Sequence, residues 1–159
     1  MAEPSAHLAP FTFLIGNWRC EARVKSEDGS WQAFHAAWSG NYILDGHVIA
    51  DEYRMVDASG KTVVLGVNLR AYDPVTQTWN IKWLDALTGT WTDLGPEKLG
   101  GLKFESDSII YAFAEPMASH ALTRATYTNI SERHFTWRGE KSEDGVAWSE
   151  FMIIEAYRE

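Results

Sequence analysis

The twelve residues from Tyr72 to Trp83 constrain the fold more than any other stretch. Tyr72 closes an apolar run, Asp73-Pro74 supplies turn chemistry, and Trp79-Asn80-Ile81-Lys82-Trp83 alternates apolar with polar residues at period two. That pattern is an antiparallel hairpin with one aromatic face. The chain carries 8 Trp, 7 Phe and 6 Tyr in 159 residues, so hairpins of this kind can close into a barrel with ring-bearing walls.

Strand signals recur along the whole chain, separated by turns rich in Gly, Asp, Ser and Pro. About ten strands are expected, over 17–25, 31–39, 41–44, 47–56, 62–72, 78–85, 89–95, 101–106, 108–114, 120–129, 132–141 and 146–158, with the shorter runs merging. Leu8 to Leu14 reads as a short helical turn, and no long amphipathic helix is visible. Ser26-Glu27-Asp28-Gly29 and Ser142-Glu143-Asp144-Gly145 are matching hairpin turns, each before a Trp-led strand, and Asp57-Ala58-Ser59-Gly60 does the same work between the fourth and fifth runs. Hairpin following hairpin without intervening helices gives an all-β, single, antiparallel up-and-down barrel, because closure hides the strand edges. With no linker or low-complexity tract, residues 1–159 form one domain, and at 45% hydrophobic they can fill a core of ordinary size.

Composition narrows the partners. A formal charge of −8 without a Lys/Arg cluster argues against nucleic acid. No window approaches a membrane-spanning length, the N-terminal residues do not read as a secretory signal, and the single Cys20 fits a reducing compartment, so a soluble, cytoplasmic protein is expected. The five histidines, His7, His35, His47, His120 and His134, stand singly, without metal-ligand spacing, and neither a metal nor another cofactor is expected. Serine-nucleophile, phosphate-loop and dinucleotide motifs are absent as well; the Gly95–Gly101 segment reads as a rim loop.

The inward parity of Trp79, Ile81 and Trp83 is plain. The preceding run is ambiguous: Val63, Leu65, Val67, Leu69 and Ala71 make one apolar face, while Asn68, Arg70 and Tyr72 lie on the other. Hydrophobicity alone turns the first set inward; pairing of Tyr72 with Trp79 turns Asn68 and Arg70 inward. The strand 48–55 poses the same question, with Glu52 and Arg54 opposite Asp51, Tyr53 and Met55. Later, Phe135 and Trp137 alternate with His134, Thr136 and Arg138, and Glu150 and Glu155 stand in the half-buried last strand.

A resemblance rests on Phe13-Leu14-Ile15-Gly16-Asn17-Trp18, Leu44-Asp45-Gly46, the run Gly66 to Pro74 with Trp79 and Trp83, Phe135-Thr136-Trp137, the turn Ser142 to Gly145, and the ending Glu155-Ala156-Tyr157-Arg158. In that order they resemble a bacterial domain-of-unknown-function family with a calycin, lipocalin-like barrel. The resemblance implies a roughly ten-stranded barrel with a central cavity and favours placing Arg70 in it. More distantly the chain is similar to the nitrobindin group, which binds haem through a histidine near its C-terminus. Gly16 and Trp18 match that group's opening strand, Cys20 and Ala22 replace its later glycines, and His134 would be the axial ligand.

The expected function is small-molecule binding. Trp79, Trp83, Phe135 and Trp137, with Tyr72 and Asn68, would line a cavity for an apolar or aromatic ligand whose acidic group faces Arg70. The alternative is a cofactor-independent isomerase, hydratase (lyase) or cyclase working by acid/base chemistry through Glu52, Arg54 or His134. Beyond the small molecule, the partner expectation leaves room for a homodimer.

Overall fold

The computed structural model describes residues 3–114 and 122–159. Among the described residues eleven strands form one antiparallel sheet: β1 (Gly16–Lys25), β2 (Trp31–Ile43), β3 (Val48–Val56), β4 (Thr62–Asp73), β5 (Thr78–Asp85), β6 (Thr90–Leu94), β7 (Leu102–Phe104), β8 (Ile109–Ala112), β9 (Leu122–Thr128), β10 (His134–Ser142) and β11 (Ser149–Arg158). The order β6-β5-β4-β3-β2-β1-β11-β10-β9-β8-β7 is an up-and-down meander in which the last strand pairs with the first. The sheet curls until its ends meet: Leu94 bridges Phe113, the Ala114 N–H donates to the Asp93 carbonyl at 2.9 Å, and the Gly95 N–H donates to the Ala112 carbonyl at 2.7 Å. This is the antiparallel barrel expected from the alternation, lipocalin-like as the resemblance implies.

Two expected strands, 31–39 and 41–44, are one continuous β2, because Gly40 pairs in register with both Gly16 and Asp51 and does not break the run. The expected start of the strand at residue 120, and His120 with it, fall outside the described residues.

The β4–β5 turn has the chemistry its sequence advertises. Asp73 Oδ1 accepts from the Val75 and Thr76 N–H groups at 2.9 and 3.2 Å, and Gln77 takes φ 58° to finish the reversal. That turn fixes Tyr72 opposite Trp79, and through the same register Arg70 opposite Ile81 and Asn68 opposite Trp83. Because Ile81 is buried against the core, Asn68 and Arg70 face inward, and the apolar set from Val63 to Ala71 is the half-buried outer face. On β3 the same logic buries Asp51, Tyr53 and Met55 and leaves Glu52 and Arg54 exposed.

One end of the barrel is plugged by a 3₁₀ helix, Ala6–Leu14, that buries Leu8, Phe11 and Leu14 completely. Phe11 meets Trp79 edge-on at 5.1 Å and reaches Phe104 and Tyr127 at 6.1 and 6.4 Å. Gly40 allows this closure: a Cβ there would lie 2.1 Å from the Leu14 carbonyl oxygen. From the far end of the chain, Arg158 Nη1 donates to the Ile15 carbonyl at 2.7 Å and its guanidinium lies over the Trp18 ring at 4.2 Å, holding the exit of the helix to β1. No helix among the described residues is long and apolar enough to cross a membrane.

Candidate functional site

Polar residues on the inner faces of β2, β3, β4 and β9 converge on one carboxylate. Asp51 is fully buried and accepts four hydrogen bonds: Oδ1 from Arg70 Nε at 2.7 Å, and Oδ2 from Arg70 Nη2 at 3.1 Å, Asn68 Nδ2 at 2.8 Å and Trp38 Nε1 at 2.9 Å. The Arg70 contact is bidentate, the geometry in which a guanidinium and a carboxylate neutralise each other best. Arg70 Nη2 also donates to Tyr127 Oη at 2.9 Å, and Tyr111 Oη donates to Tyr127 Oη at 3.5 Å. The other face of the guanidinium lies 4.6 Å from the centre of the Phe11 ring. Burial works to lower the Arg70 pKa; the adjoining Asp51 carboxylate, with Tyr127 and Tyr111 adding to it, more than offsets this and holds the proton well above the ordinary arginine value. Burial likewise pushes the Tyr127 phenol far up, against the pull of Arg70, so it serves as a neutral hydroxyl.

Beside this network lies a cavity of about 100 Å³, with Trp38, Tyr53, Asn68, Trp83, Tyr111 and Trp137 prominent in its walls and aliphatic side chains filling in between. Trp38, Asn68 and Tyr111 belong to both network and wall, so the ion pair stiffens one side of the void. Gly66 shapes another side. A Cβ there would come within 2.4 Å of the Trp83 ring and 2.3 Å of the Leu84 carbonyl, so only glycine lets the indole lie across β4. Tyr53 packs edge-on against Trp38 at 5.3 Å, and its hydroxyl is buried without a hydrogen-bond partner. Burial raises the Tyr53 phenol far above its ordinary pKa, with Cys20 adding to the effect.

Cys20 faces the same interior, where burial pushes its thiol from 9.0 up to about 12 and Sγ donates weakly to the Trp18 carbonyl at 3.9 Å. A thiol so raised is nearly all protonated at pH 8. Its reaction with a disulfide reagent is expected to be about 10³-fold slower in the folded chain than in denaturant, as read by release of the reagent's chromophore. The pH sign follows: the fold favours the protonated thiol, so its contribution to stability is complete below pH 9 and is lost as pH rises toward 12. The melting temperature should fall over that window, less steeply in Cys20→Ala.

Of the residues expected to bind ligand, Asn68, Trp83 and Trp137 line the cavity. Arg70 faces inward but is spent on Asp51 and lies outside the lining. Tyr72 and Trp79 sit at the plugged end, Tyr72 stacked on His7 at 4.6 Å and Trp79 against Phe11. Phe135 is fully buried among Phe13, Trp18 and Trp38, with no face left for a ligand.

The expected acid/base group is not gathered in the lumen. Glu52 and Arg54 are exposed on the outer surface, where Arg54 Nη1 donates to Thr62 Oγ1 at 3.1 Å, because the register that buries Asp51 and Tyr53 turns their neighbours out. His134 is also on the outer face, its Nε2 sharing a hydrogen bond of 2.6 Å with Glu155 Oε2, because its neighbour Phe135 takes the inward position. A haem does not fit this arrangement: the histidine lies on the opposite side of the sheet from a cavity far smaller than a porphyrin. Among the described residues no group of three or more His, Cys, Asp or Glu is placed to hold a metal ion.

Trp38, Tyr53 and Tyr111 are among the cavity residues that sequence reasoning passed over as site residues, and in the network so are Asp51 and Tyr127. Tyr53 and Asp51 carried a signal, since they share a parity with Met55 opposite Glu52 and Arg54. Tyr127 carried none, as its partner Arg70 is 57 residues away.

Fold and interior together define a lipocalin-like antiparallel barrel with a ring-lined cavity and a buried ion pair at its side. The chain belongs to the family described as a protein of unknown function (DUF1579), which matches residues 3–158. Among solved structures it is similar to the crystal structure of Rv2717c from M. tuberculosis, at 12% identity over 99% of both chains with a TM-score of 0.69, a likeness of fold. It also aligns with the structure of EF1p2_mFAP2b bound to DFHBI, at 13% identity over 98% of this chain and 100% of that one, with a TM-score of 0.47. No curated protein matches the sequence.

Proposed function

We propose that this protein binds a small apolar or aromatic molecule inside its barrel. The observation that carries the reading is the cavity of about 100 Å³ walled by Trp38, Trp83 and Trp137 beside the buried core. Close packing is the rule for protein cores, and a void costs the dispersion contacts its lining would otherwise make. An apolar cavity of about 150 Å³ admits benzene in an unrelated protein, so the volume here suits a single ring or a short branched chain. The acidic group expected on the ligand is not carried forward, because Asp51 already occupies the guanidinium meant to receive it.

Added benzene is expected to raise the melting temperature and to change the tryptophan fluorescence. At a hundredfold excess over Kd the stabilisation should be about 2.7 kcal/mol. Val64 stands on the inner face of β4 with Asn68 and lines the cavity, so Val64→Phe, which places a ring in the void, should remove the response. A melting temperature indifferent to benzene in the unmodified chain would rule the reading out.

A further inference from the structure

One residue of the cavity wall, Tyr53, has a buried hydroxyl that no described residue hydrogen-bonds, and it bears on the chemistry of an occupant. Among the described residues, two buried polar side-chain atoms lack a hydrogen-bond partner, Tyr53 Oη and Arg70 Nη1. Arg70 lies outside the lining and faces the Phe11 ring, whereas Tyr53, only 3% exposed, is part of the wall. A buried hydroxyl without a partner is unfavourable, and it becomes favourable when a bound molecule supplies the missing hydrogen bond. The rest of the wall is ring and aliphatic surface with the Asn68 amide and the Tyr111 hydroxyl, and among the described residues no Asp, Glu, Lys, Arg or His lines it. An ion entering would lose its hydration and meet no opposite charge among the described wall residues, since Arg70 and Asp51 neutralise each other.

Resting on the container reading, we propose that the cavity selects a compact, uncharged molecule of about one ring that carries a single hydroxyl or carbonyl oxygen, and that Tyr53 Oη hydrogen-bonds this oxygen while Trp38, Trp83 and Trp137 enclose the remainder. Tyr53 is a binding residue and a specificity determinant here. Its hydroxyl both donates and accepts, so alcohols, phenols, aldehydes and ketones belong to the class; carboxylates and amines, charged at neutral pH, do not.

Three probes of one ring size separate the ideas: benzene, phenol and benzoate, titrated calorimetrically into the unmodified chain and into Tyr53→Phe. Phenol is expected to bind the unmodified chain roughly fivefold more tightly than benzene, the gain of one neutral hydrogen bond. Benzoate should not bind. In Tyr53→Phe the phenol advantage should vanish while benzene binds as before, which also shows that the variant folds with its cavity intact. Phenol no tighter than benzene in the unmodified chain, or a preference that survives Tyr53→Phe, overturns the proposal and leaves the container standing. So does benzoate as the tightest of the three. If neither benzene nor phenol binds the unmodified chain, the container itself is wrong and the selectivity falls with it.

Discussion

Asp51→Ala is expected to cost the fold about 3–5 kcal/mol, seen as a lower denaturant midpoint in equilibrium unfolding. The substitution removes one carboxylate but orphans three residues. Arg70 is left as a buried cation received by the Tyr127 hydroxyl and the Phe11 and Tyr127 rings but by no described carboxylate, and Trp38 Nε1 and Asn68 Nδ2 lose their acceptor. A domain of this size is stable by about 5–15 kcal/mol, so the loss takes a large share of the total. The ion pair itself adds little net stability, since desolvating two charges offsets their attraction. Asp51→Leu combined with Arg70→Met should therefore recover the part of the loss that comes from the unpaired buried charge, while Trp38 Nε1 and Asn68 Nδ2 stay without their acceptor. A double variant as unstable as the sum of the singles would mean that the charges are needed for more than each other. The same experiment bears on ligand binding, because Trp38, Asn68 and Tyr111 connect the network to the cavity wall. Asp51→Ala should then weaken benzene binding without touching the ligand, through walls that have lost their support.

How far the sequence speaks for this site depends on which dimension of the barrel is asked about. Alternation reports the face of the sheet a residue occupies. It placed Trp79, Ile81 and Trp83 inward, and the Asp73-Pro74 turn tied Tyr72 to Trp79, which is enough to bring Arg70 inside. Alternation does not report height along the barrel axis. Phe135 and Trp137 share a face two residues apart, yet the first is sealed among Phe13, Trp18 and Trp38 near the plug while the second reaches the cavity. Nor does it report partners across strands. Asp51 and Arg70 meet because β3 and β4 pair Asp51 with Asn68, a register set by the whole hairpin, and since both parities of β3 carry charge, only the apolar company of Tyr53 and Met55 spoke for Asp51 over Glu52. Hydrophobicity misleads on β4 for the same reason: its outer residues are the more apolar set, while its inner ones include the polar groups that Asp51 requires.

Phe11→Ala is the second large loss, expected at about 3–5 kcal/mol in the same unfolding measurement. The plug is a 3₁₀ segment with Pro10 inside it, a conformation of poor intrinsic hydrogen bonding that persists because of what it buries. Phe11 is its central contact: the ring is fully buried, meets Trp79, Phe104 and Tyr127, and covers the Arg70 guanidinium. Alanine leaves a hole above a buried cation and loses the cation–π contact as well, so the cost should exceed that of Phe104→Ala, whose ring is 45% exposed. Water reaching Arg70 through that hole has a further consequence. In an Asp51→Ala background the guanidinium lacks its carboxylate, and hydration from the opened plug relieves part of that penalty. Phe11→Ala should therefore cost less there than in the unmodified chain, a coupling that the double-mutant cycle measures directly. Strict additivity of the two changes would show that the lost ring admits no water to Arg70, and that the plug stabilises the barrel by packing alone.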